Sequence, residues 1–256
     1  MAIIAMAVWD TEENGKSKYT LETLKCLYGT VYMDRHRIVV IDNNSCRETK
    51  DILEDAQGWG VEVITLPENV GTARAINHAI RLRKPGEHVI KMDNDVLIHS
   101  DTWVDEMEQA IEREPMIGIC GLKRKDLWQR PDHENKFYRS ELHLLNQKPG
   151  EDWIVIEKTA DIMGTCTMFN YRLLDKIGYM WQPSLYGFDD GLICYRSNLA
   201  GFINCFLPHI RIDHIDPGGG IYEGWKRNES GKVMDEFNKI KDDLIAGRRP
   251  LYEDFY

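Results

Sequence analysis

The sequence predicts an α/β protein built on a twisted, mostly parallel central sheet flanked by helices. Three observations carry that prediction. Short runs of β-branched and aliphatic residues alternate with amphipathic segments through the first half of the chain. The runs are apolar throughout, as strands covered on both faces must be. Each also ends abruptly in polar residues, where a parallel sheet places its ligand-binding loops. The length of 256 residues suits one large domain, and 43% apolar residues suffice for a packed core.

Residues 3–8 form the first apolar run, followed by a polar loop over 10–18. Leu21, Leu24, Cys26, Leu27 and Tyr28 mark a helix. Residues 38–41 read as a second strand that stops at Asp42-Asn43-Asn44-Ser45. A helix over 47–56 and a third strand over 61–66 follow. Residues 69–83 carry Ala73, Ile76, Ala79 and Ile80 at helical spacing, and 88–92 form a fourth strand ending in Asp93-Asn94-Asp95. This βαβαβαβ order calls for right-handed crossovers.

The second half is less regular. A helix is expected over 101–114 and a short strand over 116–121. Lys123-Arg124-Lys125 reads as a solvated loop. An excursion of loops and short strands, with Pro131 and Pro149, reaches Lys158. Next come a strand over 160–169, helices over 171–177 and 189–199, and final strands over 202–207 and 210–213. After His214 the chain turns through Pro217-Gly218-Gly219-Gly220, and one polar helix, roughly 232–246, closes it. The simplest division is a nucleotide-binding half (1–98), an acceptor-side half (99–214) and a tail (215–256).

The formal charge of -10 argues against nucleic acid as a partner, because phosphate-backbone binding needs a basic surplus. The six cysteines, Cys26, Cys46, Cys120, Cys166, Cys194 and Cys205, form no CxxC pair and sit largely in apolar runs. They read as free buried thiols in a reducing compartment. The first nine residues are too short to span a bilayer and lack a basic flank, so a cytoplasmic protein without a transmembrane segment is expected.

Five segments carry chemistry. In Asp93-Asn94-Asp95, two carboxylates at i and i+2 face one side of a strand end, where hard oxygen ligands suit a divalent cation; a solvated turn would use the same residues. Asp42 either accepts hydrogen bonds from a base or ribose or helps to cap the next helix, a task open to Asn44 and Ser45 as well. In Glu68-Asn69-Val70-Gly71-Thr72-Ala73-Arg74, Gly71 permits close approach of a ligand and Arg74 offers a planar cation, or is simply a surface arginine. Asp189 and Asp190 open a helix, where they act as caps or supply a general base. His214, at the end of a late strand, is structural or completes a metal shell with Asp95.

Taken in order, these segments resemble glycosyltransferase family 2, whose fold is the Rossmann-like GT-A fold. "VVIDNNS" is similar to the family's strand-end Asp segment, and "ENVGTARAINHAI" to its N-x-G-x-x-x-A-R-N helix. "KMDNDV" resembles its D-x-D strand end, "YGFDDGLICYRSNLAGF" its E-D-x-D-L-x-x-R-x-x-x-x-G segment, and "IRIDH" its terminal strand. The match covers residues 1–214. It departs at Asp189, where the family usually has Glu, and at Leu192, which replaces an Asp.

The resemblance implies a glycosyltransferase that moves a sugar from a nucleotide-diphosphate sugar, UDP-sugar foremost, to a hydroxyl of a carbohydrate or glycoconjugate, with inversion. It implies that Ala7, Trp9, Asp42, Asn69, Gly71, Arg74, Asp93 and Asn94 bind the donor, with Gly164 and Thr165 under its sugar. Asp95, His214 and Asp93 would hold Mn²⁺ or Mg²⁺, and Asp190 would be the base with Asp189 beside it. A retaining transferase, a nucleotidyltransferase and a non-catalytic nucleotide-sugar-binding module are the alternatives. The acidic loop after the first strand suits a triphosphate poorly and counts against the nucleotidyltransferase. Trp128, Trp181 and Trp225 are candidates for stacking on a sugar.

Overall fold

The computed structural model describes residues 1–126, 141–145 and 152–256. The first half follows the sequence closely. β1 (Ala2–Val8), β2 (Arg37–Asp42), β3 (Glu62–Thr65) and β4 (His88–Met92) are linked by α1 (Ser17–Thr30), α2 (Arg47–Gln57) and α3 (Thr72–Arg81). All pairings among these strands are parallel, with β1 between β2 and β4. The chain first steps outward from β1 to β2 and β3, then returns to lay β4 on β1's other side. That reversal opens a crevice beyond the carboxyl ends of β1 and β4, the position where open α/β sheets bind ligands.

The second half continues the sheet with mixed pairing. The order is β3-β2-β1-β4-β9-β6-β10-β8-β7, with β5 (Val96–Leu97) on β10. β9 (Cys166–Phe169) lies antiparallel between β4 and β6 (Ile117–Arg124). β10 (Ile203–His214) runs parallel to β6 and antiparallel to β8 (Val155–Thr159), which pairs with β7 (Glu141–Leu144). The helices of this half are α4 (Trp103–Arg113), α5 (Tyr171–Ile177), α6 (Asp189–Leu199), α7 (Gly220–Lys232) and α8 (Met234–Ile245).

The core has two layers because side chains alternate across each strand. Ile4, Met6, Ile90 and Met92 join the cluster under α1, α2 and α4, whereas Ile3, Ala5 and Val89 join the one under α3, α5 and α6. Among the described residues no helix is long and apolar enough to cross a membrane. All six cysteines are free thiols, with Cys120, Cys166, Cys194 and Cys205 buried.

Several expectations are corrected. The strand expected over 160–169 is shorter: β9 covers only 166–169, and residues 160–165 form the connection from β8 that carries Gly164 and Thr165. The two final strands are one, with an irregularity between Leu207 and Arg211 where Pro208 interrupts the ladder with β6. Lys123 and Arg124 end β6 rather than lying in a loop, and Lys123 is buried against Glu157. Residues 127–140 and 146–151 of the loop excursion, Trp128 included, lie outside the described residues. The tail has two helices. α7 was hidden by its glycines, since Gly219 caps it and Gly220, Gly224 and Gly231 lower its intrinsic propensity.

Candidate active site

The crevice at the ends of β1 and β4 is a cleft of about 340 Å³. Its floor is acidic. Asp93, Asp95, Asp189, Asp190 and His214 all line it. Asp93 and Asp95 stand two residues apart in the turn between β4 and β5, and both face the cleft. Antiparallel pairing of β5 with the end of β10 brings His214 across from Val96, and His214 Nε2 lies 3.2 Å from Asp95 Oδ2. The other oxygen, Asp95 Oδ1, is buried without a hydrogen-bond partner.

Asp189 and Asp190 are aimed by the turn before α6. Gly187 (φ 94°) and Phe188 (φ 66°) both adopt left-handed backbone, costly for a phenylalanine. Phe188 is held by stacking on Phe237 of α8, with centroids 4.3 Å apart. Asp190 Oδ2 accepts the Gly164 N–H at 3.0 Å, and a Cβ on Gly164 would fall 1.8 Å from Asp190 Oδ1. Only glycine fits there.

Lys91 was not anticipated as a site residue. Val89 points to the α6 side of the sheet, and Lys91, two residues on, follows it. Its ammonium lies 2.8 Å from Asp190 Oδ1, 3.3 Å from Asp189 Oδ2 and 3.8 Å from Asp93 Oδ1. Burial alone would lower its pKa, but Asp189, Asp190 and Asp93 hold it well above the usual value. Burial raises the Asp189 carboxyl, with Asp190 adding to the effect. Enclosure, opposed by Lys91 but reinforced by Asp95 and Asp190, pushes Asp93 up to about 7. The available signal for Lys91 was a charged residue interrupting the apolar strand before Asp93.

The roof is aromatic. Trp9 from the end of β1 lies 4.7 Å from Trp225 of α7, and Tyr222 stacks on Trp225 at 5.7 Å. Tyr186 approaches Trp225 at 5.9 Å, and Lys226 sits over Tyr222 and Tyr186. All these residues line the cleft. The roof is pinned to the loop after β1 by an ion pair of Lys16 with Asp216. Burial would raise Asp216, but the Lys16 ammonium and the Gly218 N–H hold it below the usual carboxylate range.

Of the expected donor-binding residues, Ala7, Trp9, Asn69, Asp93 and Asn94 line the cleft. Two of them are already engaged. Asn94 donates to Asp10 Oδ1 at 3.0 Å and Thr20 Oγ1 at 2.7 Å, and Asn69 Oδ1 accepts from Asn43 and the Gly71 N–H. The others are not on the lining. Asp42 is fully buried, and its Oδ1 accepts the Ser45 N–H while Oδ2 has no partner. It closes the turn after β2 through Ser45, and the N-cap of α2 is Cys46, without a side-chain cap; neighbouring Asn43 faces the cleft instead. Gly71 (φ 87°) lies under the backbone of Leu185. Arg74 points away and stacks on Tyr256 at 4.7 Å. Gly164 and Thr165 sit behind Asp190 and Asp93, where the Thr165 carbonyl accepts the Asp93 N–H. Of the candidate stacking residues Trp225 reaches the cleft, whereas Trp181 packs beside the small cluster under α8 and is covered by Arg249.

Among the described residues a tighter group of metal-type ligands is His36, Asp105 and Glu108, with ligand atoms within 4.8 Å of one another. It does not suit a metal. His36 Nδ1 accepts the Ala2 N–H, so the neutral ring carries its proton on Nε2, facing Asp105 at 3.2 Å. Glu108 is paired with the N-terminal ammonium.

Residues 13–178 match the model of glycosyl transferase family 2. The chain belongs to that family. The fold agrees, for the solved structures it resembles are GT-A glycosyltransferases. A mannosyltransferase from Pyrobaculum calidifontis, solved with GDP-Man and Mn²⁺, superposes with TM-score 0.66 at 18% identity over 88% of this chain and 59% of that one. GalNAc-T7, solved with UDP, GalNAc and Mn²⁺, gives 0.61 at 13% over 84% of this chain and 44% of that one. S. aureus TarS 1–349 gives 0.57 at 16% over 85% and 61%. This family 2 chain therefore spans between 44% and 61% of the length of those three chains. No curated protein matches it in sequence.

Proposed function

We propose that this chain transfers a sugar from a nucleotide-diphosphate sugar to an acceptor hydroxyl, with inversion and with a bound divalent metal. The observation that carries the proposal is the convergence of Asp93, Asp95, His214 and Asp190 on one cleft at the sheet's reversal point, in a member of family 2.

The donor set at the floor fits Mn²⁺ or Mg²⁺. Asp95 has a buried oxygen without a partner, which a cation would satisfy, and Asp93 and His214 line the same cavity. When bound, the metal would neutralise charge on the leaving diphosphate. The chain's residues do the rest. Asp190, the more exposed of the α6 carboxylates, takes the proton from the acceptor hydroxyl. Its orientation is fixed in advance by Lys91 and Gly164, so little reorganisation is needed. Trp9 and Trp225, which touch each other over the cleft, cover the nucleotide from one side and exclude water. Complexes of related folds with UDP or GDP-Man favour a nucleoside diphosphate as leaving group, and a UDP-sugar is the preferred donor.

Calorimetry with UDP and GDP, each with and without Mn²⁺, tests the reading. Metal-dependent binding of one of them is expected. Binding indifferent to metal would remove Asp93, Asp95 and His214 from the proposal, and no binding of either would overturn a UDP- or GDP-sugar as donor.

A further inference from the structure

Lys91 is 3% exposed, between Ile90 and Met92 in a fully buried strand. Burying an ammonium is costly unless acceptors replace its water. Lys91 has the Gly164 carbonyl at 3.1 Å together with carboxylates from Asp93, Asp189 and Asp190. These groups come from the end of β4, the turn before β9 and the start of α6.

We propose that Lys91 is a positioning residue of the transfer. Its ammonium fixes the base Asp190 relative to the metal-binding Asp93, and it supplies part of the positive charge that the acidic floor requires. The inference rests on the roles given to Asp93 and Asp190 above.

The contacts close a ring. Lys91 donates to Asp190 Oδ1 and to the Gly164 carbonyl, while the Gly164 N–H donates to Asp190 Oδ2. Both oxygens of the base are thus held from different sides, which leaves its carboxylate one orientation. Lys91 and Asp93 are two residues apart on one strand, so the backbone fixes their spacing. Any drift of α6 away from β4 must break the ion pair.

The charge balance separates this role from a structural one. A lysine with a purely structural role would need a single counterion, and taking it away would leave one buried carboxylate unpaired at a cost in stability. Lys91 instead faces three carboxylates. The same ammonium that clamps Asp190 also repels a divalent ion at Asp93. Removing it therefore pulls two observables in opposite directions: metal binding tightens and transfer slows. Loss of a purely structural lysine would weaken both.

The test uses Lys91→Met and Lys91→Arg in the full chain. The readouts are Mn²⁺ affinity without nucleotide, melting temperature, and turnover of the nucleotide sugar that the wild type consumes. K91M is expected to bind Mn²⁺ about tenfold tighter, the effect of losing one nearby charge at a partly screened site. Its turnover is expected to fall about a hundredfold through misplacement of the base. K91R, which keeps the charge, should return Mn²⁺ affinity to within about threefold of wild type and recover part of the turnover. A folded K91M that binds Mn²⁺ no tighter, or turns over normally, overturns the inference. If K91M does not fold, K91M/D189N compared with D189N gives the same two readouts with one buried carboxylate neutralised. A wild type that binds no Mn²⁺ overturns the metal reading and this inference together; a wild type that binds it, with K91M no tighter, overturns this inference alone.

Discussion

The floor of the cleft is made largely from strand ends, completed by Asp189 and Asp190 at the start of α6. Asp93 and Asp95 follow β4, His214 ends β10, and Lys91 lies within β4. Its groups are tied to the sheet's hydrogen-bond ladder, and several are tied to one another. The roof is made differently. Trp225, Tyr222 and Lys226 sit on α7, which leaves β10 through Gly218, Gly219 and Gly220, all at positive φ with open space around them. It is held to the rest of the molecule by ring contacts, the Lys16–Asp216 pair and a hydrogen bond from Ser184 to Glu229 at 3.1 Å. A floor of that kind holds charge at fixed spacing, as chemistry requires. A roof of that kind offers area and can yield, as binding and release require.

The largest effect should come from breaking the floor. Asp190→Asn is expected to lower turnover about a thousandfold, within the usual contribution of a positioned base, while Mn²⁺-dependent nucleotide affinity stays within about twofold. Near-normal turnover in stopped assays at saturating donor would move the base elsewhere.

Gly164→Ala strikes the same floor from behind. With no room for a methyl beside Asp190, the carboxylate must move. A drop of roughly a hundredfold in turnover is expected, with a stability loss of about 1–3 kcal/mol in urea titrations. An alanine variant with wild-type rate and stability would show that the turn yields freely.

The roof should respond in affinity instead. Trp225→Ala is expected to weaken nucleotide binding about tenfold, the scale of one lost stacking platform, with turnover at saturation changed far less. A loss confined to turnover would place α7 in the chemical step and erase the distinction between floor and roof.

The effect on turnover should be smallest away from the cleft, where a residue of the scaffold beneath the floor acts on stability instead. His88, at the start of β4, accepts the Tyr171 N–H at Nδ1. Burial, with help from the N-terminal ammonium and Arg172, pushes its imidazole down to about 4. The unfolded chain takes up this proton near pH 6.5 and the folded one does not, so stability is lost as pH falls from about 6.5 towards 4. Between about pH 7 and pH 5 the loss should be roughly 2 kcal/mol. His88→Gln should flatten that slope in urea melts; an unchanged slope would assign the acid sensitivity to other groups.

Much of the floor was legible because its residues close strands that are apolar and regular. Asp93, Asp95 and His214 mark where β4 and β10 leave the core, and Asp189 and Asp190 mark a helix start. Lys91 was passed over because one charge in a strand gives no sign of its partners, which lie in distant segments. Arg74 misled for the opposite reason: the helix was legible, but the direction of its side chain was set by Tyr256 near the end of the chain. The roof was largely hidden, because a glycine-rich helix has little intrinsic propensity and forms through its tertiary contacts.

By itself the sequence determined the alternation of strands and helices, the parallel pairing of the first half and the polar ends of its strands. These follow from hydrophobic period and connection handedness, both local or nearly so. The tertiary structure decided the insertion of β9 between β4 and β6, the folding of α7 over the cleft, and the gathering of Asp93, Asp189 and Asp190 around Lys91. Each depends on contacts between segments far apart in the chain, where the energy of bringing charges and rings together is set by burial and geometry that no single segment carries.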